Sequence, residues 1–252
     1  MSMQAANDNS GRMSSIRVLG VRVDSVDVES ALAQIEALIA AGGHHLVATV
    51  NPEFIMRARH DPEFLRVLES ASLCLPDGWG VTWAARRQGR PLPGRVPGTD
   101  LIPPLAARAA QLGWRLFLLG AGPGVAEAAA ARLRSDFPGL RITGCHAGQA
   151  GPDGDEESLH LIDAAGADIV LVAYGAPRQE LWIARNLARL PAAVGIGVGG
   201  AFDFLSGNVR RAPGWMRRLG LEWLFRLGMQ PWRARRMVAL PRFALEVLCS
   251  RG

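Results

Sequence analysis

Apolar positions along the 252-residue chain follow two alternating periods. Short, partly unbroken apolar runs, such as RLFLL at 115–119 and IVLVAY at 169–174, have the make-up of strands buried on both faces. Strands are predicted at 17–23, 44–50, 72–75, 115–119, 141–145, 169–174 and 193–198. Between them apolar residues recur at helical spacing, over 28–41, 61–71, 100–112, 125–137, 155–165 and 177–190. This alternation predicts an α/β fold, a mostly parallel sheet with helices on both faces. Ligands of such sheets sit in the loops after the carboxyl ends of the strands.

The pattern changes after residue 207. Helical spacing alone remains, predicting helices at 219–229 and 232–248 with Pro231 between them. From Asn208 onward there are ten arginines against two acids, a net +8, whereas the whole chain carries +5. The preceding body is therefore slightly acidic. All 28 basic residues are arginine, and Trp215, Trp223, Phe225, Trp232 and Phe243 are mixed with those of the tail. Such a mixture suits a membrane interface, with rings at headgroup level and guanidiniums on phosphates. A helical cap on the body with a solvated basic face fits the composition equally. No nucleic-acid-binding motif accompanies the charge.

Residues 1–15 are polar, lack the apolar core of a signal peptide and are expected to form a disordered leader. No uncharged apolar run approaches a bilayer span, so a cytosolic protein is expected. Cys74, Cys145 and Cys249 form no metal or redox motif and read as reduced, mostly buried thiols.

Candidate chemistry lies in the loops. The segment PDGWGVTWAARRQGRPLPGRVPGTD at 76–100 sets Asp77 in a Gly-flanked turn and places Arg95 and Asp100 in a second Gly/Pro-rich loop. An acid and a fixed cation on two loops suit departure of a phosphate group; PDG is also simply a good β-turn. Thr49 ends a predicted strand, and Asn51 is an N-cap candidate with Pro52 in the first turn. LLGAGPG at 118–124, with Gly122, joins a buried strand to a helix and offers backbone N–H groups to phosphate. It is G-x-G-x-G, and the next strand ends without a ribose-binding acid, so a dinucleotide fingerprint is poorly matched. GAPRQE at 175–180 and GVGGAFDFLSG at 197–207 repeat the strand-to-helix pattern, with Gln179 and Asp203 as polar candidates. The five histidines have no metal-ligand spacing, and neither a Walker lysine nor a serine nucleophile elbow is present.

Taken together, TVNPEF, LPDGWGV, RVPGTD, LLGAGPG, GAPRQE, GVGGAFDFLSG and RRAPGWMRRLGLEWLFRL resemble, in order and spacing, the WecG/TagA/CpsF glycosyltransferases. The resemblance covers nearly all of the chain after Arg17 and implies a Rossmann-like catalytic domain at 16–207 with a basic helical appendage at 208–252. It implies an inverting, metal-independent enzyme that needs no cofactor. Such an enzyme moves N-acetylmannosamine, its uronic acid or glucose from a UDP-sugar to a polyprenyl-diphosphate-linked saccharide, for a bacterial surface polysaccharide. By the same resemblance Asp77 matches a general base, and Thr49 and Asn51 match residues beside the donor sugar. Arg95 matches an arginine that offsets the UDP diphosphate, and Gln179 a polar pocket residue. Arg226, Arg233 and Arg236 match appendage residues that meet the lipid diphosphate. The implied location is peripheral, on the inner face of the cytoplasmic membrane, with no nucleic acid as partner and homo-oligomerisation left open. Pro97 stands where the family pattern has Thr, which stiffens the loop and bears on donor preference. A non-catalytic nucleotide-sugar-binding regulator and a nucleotide-dependent oxidoreductase are the alternative readings.

Overall fold

A computed structural model of the protein describes residues 14–229 and 237–250, apart from the side chains of Arg218 and Arg226. The chain opens with an antiparallel hairpin, β1 (Ser15–Val18) and β2 (Val21–Asp24), turned at Leu19–Gly20. One strand was expected over 17–23; the left-handed backbone at Gly20 splits it into two. The leader expected over 1–15 lies outside the described residues as far as 13, and Ser15 already belongs to β1.

Helix α1 (Val28–Ala41) begins at an Asp27–Ser30 capping box and leads into β3 (His45–Val50). Helices α2 (Pro52–Ala58) and α3 (Pro62–Ser70) each start at a capped Asx-Pro pair, Asn51-Pro52 and Asp61-Pro62, before β4 (Leu73–Pro76). Then come α4 (Trp79–Arg87), α5 (Gly98–Leu112), β5 (Arg115–Gly120), α6 (Val125–Asp136) and β6 (Arg141–His146). The body closes with α7 (Asp155–Ala165), β7 (Ile169–Ala173), α8 (Arg178–Asn186), β8 (Val194–Gly197) and α9 (Ala201–Leu205). The tail contributes α10 (Gly214–Arg218), α11 (Glu222–Met229) and α12 (Ala239–Cys249).

Six parallel strands pair in the order β4-β3-β8-β7-β5-β6. Side chains alternate between two apolar layers even where every residue is buried. On β7, Val170 and Val172 face one layer and Ile169 and Leu171 the other. Helices α2, α3, α4, α7, α8 and α12 cover the first layer; α1, α5, α6 and α9 cover the second. Coverage of both faces accounts for the unbroken apolar runs. The fold is therefore the Rossmann-like α/β arrangement that the alternation predicts.

Strand β8 has the sequence VGIG. Val194 and Ile196 face the second layer, while the alternating Gly195 and Gly197 face α8. A Cβ at Gly195 would lie 2.8 Å from Ile183 Cγ2, so α8 approaches the sheet more closely than a side chain would permit.

The tail is not detached from the body. Phe243 and Val247 of α12 are buried in the first layer, and Arg59 pairs with Glu246 at 2.8 Å. The cap reading thus describes α12. The helix expected over 232–248 is described from residue 237, and α12 proper starts at Ala239; 230–236 lie outside the described residues. Of the three free cysteines only Cys74 is fully buried, its thiol pushed up to about 12 chiefly by burial; Cys145 is half-buried and Cys249 exposed.

Candidate active site

Neighbouring strands β3 and β8 send their next helices, α2 and α9, to opposite faces of the sheet. A crevice opens at their carboxyl ends for that reason. It is a polar cleft lined by Thr49, Asn51, Asp77, Gly98, Gln179 and Gly199, among others.

Each lining residue has a local cause. Thr49, one residue before the end of β3, donates its hydroxyl to the Gly197 carbonyl of β8 at 3.0 Å, which pins the two strands at the mouth of the cleft. Asn51 accepts the Phe54 N–H at 3.1 Å through Oδ1 and so caps α2. That bond leaves the Asn51 amide nitrogen as a donor for a ligand. The N–H of Asp77 donates to the Val50 carbonyl at 2.8 Å, and the Pro76 carbonyl accepts the Val96 N–H at 2.7 Å. These two bonds gather the ends of β3, β4 and the 93–97 loop. The turn at Asp77–Gly78 is completed by a left-handed Gly78, with φ of 90°. Its role as a turn and its role in holding a carboxylate at the cleft are compatible.

Helix α5 starts at the cleft, with Pro97 as its N-cap and no side chain capping it. Its first turn can therefore offer N–H groups to phosphate oxygens. A Cβ at Gly98 would lie 3.0 Å from the Val198 carbonyl oxygen, so a side chain here would press this helix start away from the backbone that follows β8.

Gln179 is buried, and both ends of its amide are engaged. Oε1 accepts the N–H groups of Gly175 at 3.1 Å and Gly199 at 2.9 Å, and Nε2 donates to Glu180 Oε1 at 2.6 Å. It lines the cleft chiefly by tying the loops after β7 and β8 together.

A second, apolar groove adjoins the cleft. Trp79 and Trp83 of α4, stacked at 6.2 Å, form one wall; Trp223, Leu227 and Leu240 of the tail belong to another. The groove has a volume of about 690 Å³. Asn51, Glu53, Asp77 and Glu222 line both cavities, so the Asp77 loop stands at their junction. Arg95 lies on the groove side and donates to the Arg217 carbonyl of α10 at 3.3 Å. Arg211 pairs with Asp100 of α5 at 2.5 Å and faces Glu222 of α11 at 3.7 Å, which fixes the start of the tail over the cleft.

The sequence-derived candidates separate accordingly. Thr49, Asn51, Asp77 and Gln179 meet in the cleft, with Arg95 adjoining through the groove. Gly122 is exposed in the turn before α6, and Asp203 lies on α9; neither lines the cleft or the groove. Arg233 and Arg236 lie outside the described residues, as does the side chain of Arg226. Glu222, Trp79 and Trp83 belong to the site without having been singled out. The i, i+4 spacing of the two tryptophans in WGVTW was their available signal. Among the described residues no three His, Cys, Asp or Glu side chains converge to hold a metal, and no helix is long and apolar enough to cross a membrane.

The chain is 40% identical over 205 residues to an N-acetylglucosaminyldiphosphoundecaprenol N-acetyl-beta-D-mannosaminyltransferase of Bacillus subtilis (strain 168), covering 81% of this chain and 78% of that one. The protein of the same name from Bacillus spizizenii is also 40% identical, over 202 residues, with 80% and 78% covered. The model of the glycosyl transferase WecG/TagA/CpsF family matches residues 16–252. With a parallel sheet, a polar cleft at its carboxyl edge and this match over nearly the whole sequence, the chain belongs to the WecG/TagA/CpsF family of glycosyltransferases.

Proposed function

We propose that the protein transfers a sugar from a UDP-sugar to a polyprenyl-diphosphate-linked saccharide, with inversion and without a metal. The observation that carries this reading is the position of the Asp77 loop between a polar cleft and an apolar groove. A nucleotide sugar suits the cleft and a lipid-linked acceptor suits the groove, so the acceptor hydroxyl and the donor sugar meet at Asp77. The relatives' names make N-acetylmannosamine the first donor sugar to test and N-acetylglucosamine on a diphospholipid the first acceptor.

In this scheme Asp77 takes the proton of the acceptor hydroxyl as its oxygen attacks the anomeric carbon. The bond to the UDP oxygen breaks on the opposite face, which inverts the centre. The departing diphosphate gains negative charge. The uncapped start of α5 supplies N–H groups for it, and Arg95 supplies a guanidinium fork that matches phosphate oxygens. Asn51 Nδ2 donates to the donor sugar beside the Thr49 hydroxyl.

The tail supports a peripheral membrane location. Many of the exposed large apolar side chains lie there, Trp215 and Leu219 being 54% and 63% exposed. With the tail's arginines they suit insertion at the headgroup level of an anionic bilayer.

The test is transfer from UDP-N-acetylmannosamine to a short-chain N-acetylglucosaminyl-diphospholipid, comparing wild type with Asp77→Asn. Loss of a general base lowers turnover by roughly 10²–10⁴-fold. UDP affinity should stay within about threefold, because Asp77 acts on the acceptor side. Near-normal turnover by Asp77→Asn would remove it from the base role.

A further inference from the structure

Glu180 has no part in the reaction outlined above, yet it is completely buried beside the cleft. Its Oε1 accepts from Gln179 Nε2 at 2.6 Å, while its Oε2 has no hydrogen-bond partner among the described residues. Gln179 in turn holds two backbone N–H groups, those of Gly175 and Gly199, on its Oε1. Both glycines line the cleft, one after β7 and one after β8.

The two ends of a glutamine amide differ chemically. If the oxygen faces two N–H groups, the NH₂ group must face an acceptor, or be buried unsatisfied. Glu180 supplies that acceptor. Room for the pair comes from β8: a Cβ at Gly197 would lie 2.6 Å from Gln179 Nε2 and would also collide with Glu180 Oε1. The VGIG pattern thus has a second use besides close packing, since it leaves the space that the pair fills.

We infer that Glu180 is a positioning residue, which sets the orientation of the Gln179 amide and so holds the Gly175 and Gly199 loops at the spacing that receives the donor nucleotide. The donor half of this inference rests on the UDP-sugar reading above.

The charge state of Glu180 fits the task. Helix α8 packs on β3, β7, β8 and α3. Their titratable side chains are His45 on β3 and Glu63, Arg66 and Glu69 on α3, with Arg178 and Arg185 on α8 itself. None of them contributes to its shift: burial pushes the carboxyl up to about 8, against the opposing pull of Gln179 and its own backbone N–H. At neutral pH it is an uncharged acid that accepts from Gln179 without placing a negative charge beside a diphosphate. Above pH 8 it becomes a buried carboxylate, which disfavours an anionic ligand nearby.

Two variants test this, Glu180→Gln and Glu180→Leu, with UDP as the probe. UDP affinity is measured by calorimetry from pH 6.5 to 9, and amide exchange at Gly175 and Gly199 by NMR. Glu180→Gln keeps an acceptor and cannot ionise. It should match wild type at pH 7 and hold its affinity above pH 8, where wild type weakens. Glu180→Leu leaves the Gln179 amide nitrogen unpaired; it should bind UDP about tenfold more weakly and exchange both amides faster. Wild-type affinity and exchange in Glu180→Leu would overturn the inference. So would a loss above pH 8 that Glu180→Gln shares, a result that needs no apolar variant. If the wild-type chain bound no UDP, the donor reading would fall, and exchange at the two glycines would still decide whether Glu180 holds the loops.

Discussion

Single residues at this site carry structural duties while lining the cleft. The Thr49 hydroxyl joins two strands, Asn51 caps a helix, and the Asp77 N–H ties the end of β4 to the end of β3, while each residue also lines the cleft. Glu180 has a measurable consequence for folding as well. Its carboxyl, ordinarily near 4.5, titrates near 8 in the folded protein because burial disfavours the charge. Between those values the folded state holds a proton that the unfolded chain has released. Stability from this group is therefore full below about pH 4.5 and is lost as pH rises towards 8, after which it levels off. Urea midpoints of wild type should fall more steeply than those of Glu180→Gln between pH 5 and 8.5. Parallel profiles for the two proteins would contradict a raised Glu180.

At the level of elements, the cleft is an assembly of strand ends and helix starts. Strand β3 reaches it through Thr49, α2 through the Asn51 cap, and α5 through Gly98. Substitutions at Asn51 separate the two contributions of that cap. Asn51→Ala removes the bond to the Phe54 N–H and should cost about 1 kcal/mol of stability. Asn51→Asp keeps a capping oxygen, so its thermal midpoint should stay near wild type, but it adds negative charge on the donor side of the cleft, where UDP is proposed to bind. Asn51→Asp should therefore fold normally and bind UDP less well. If the two variants lost stability equally, the cap would not be the reason Asn51 sits there.

For the whole molecule the instructive feature is the tail, which is docked on one side and exposed on the other. Phe243 and Val247 bury into the body, and a Cβ at Gly220 would lie 2.7 Å from Trp79 Cγ, so the tail packs closely on α4. Trp215 and Leu219 remain outside. Replacing both by glutamate removes apolar area available to a bilayer and adds charges that anionic lipid repels. Co-sedimentation with vesicles rich in phosphatidylglycerol should drop on the order of tenfold or more. The melting temperature should hardly move, because neither side chain is in the core. A variant that still sediments like wild type would dissociate this patch from membrane binding.

The six parallel strands and the longer helices between them were legible in the sequence because both periods are strong and the sheet is covered on both faces; the shorter α4 and α9 were not. So were Thr49, Asn51, Asp77 and Gln179, since strand ends followed by Gly, Pro or Asx residues mark the ligand edge of such a sheet. Other features depend on distance through space, which local pattern does not encode. The hairpin before α1 was hidden because a two-residue turn with left-handed backbone at both Leu19 and Gly20 decides it. Gly122 and Asp203 occupy sound motifs, but the turn before α6 lies away from the cleft, and Asp203 sits on α9 just beyond Ala201, where its segment stops lining the cleft. The pairing of Glu180 with Gln179 is invisible in the sequence, where it is one acid in the first turn of a helix. Only the glycines of β8, facing α8 across a gap set by the fold, leave room for that acid beside the amide that bridges two loops. Composition and periodicity determined the fold class and the edge of the sheet at which the cleft opens. The tertiary structure decided which candidates meet there, because strand order and helix approach are set by packing among segments far apart in the chain.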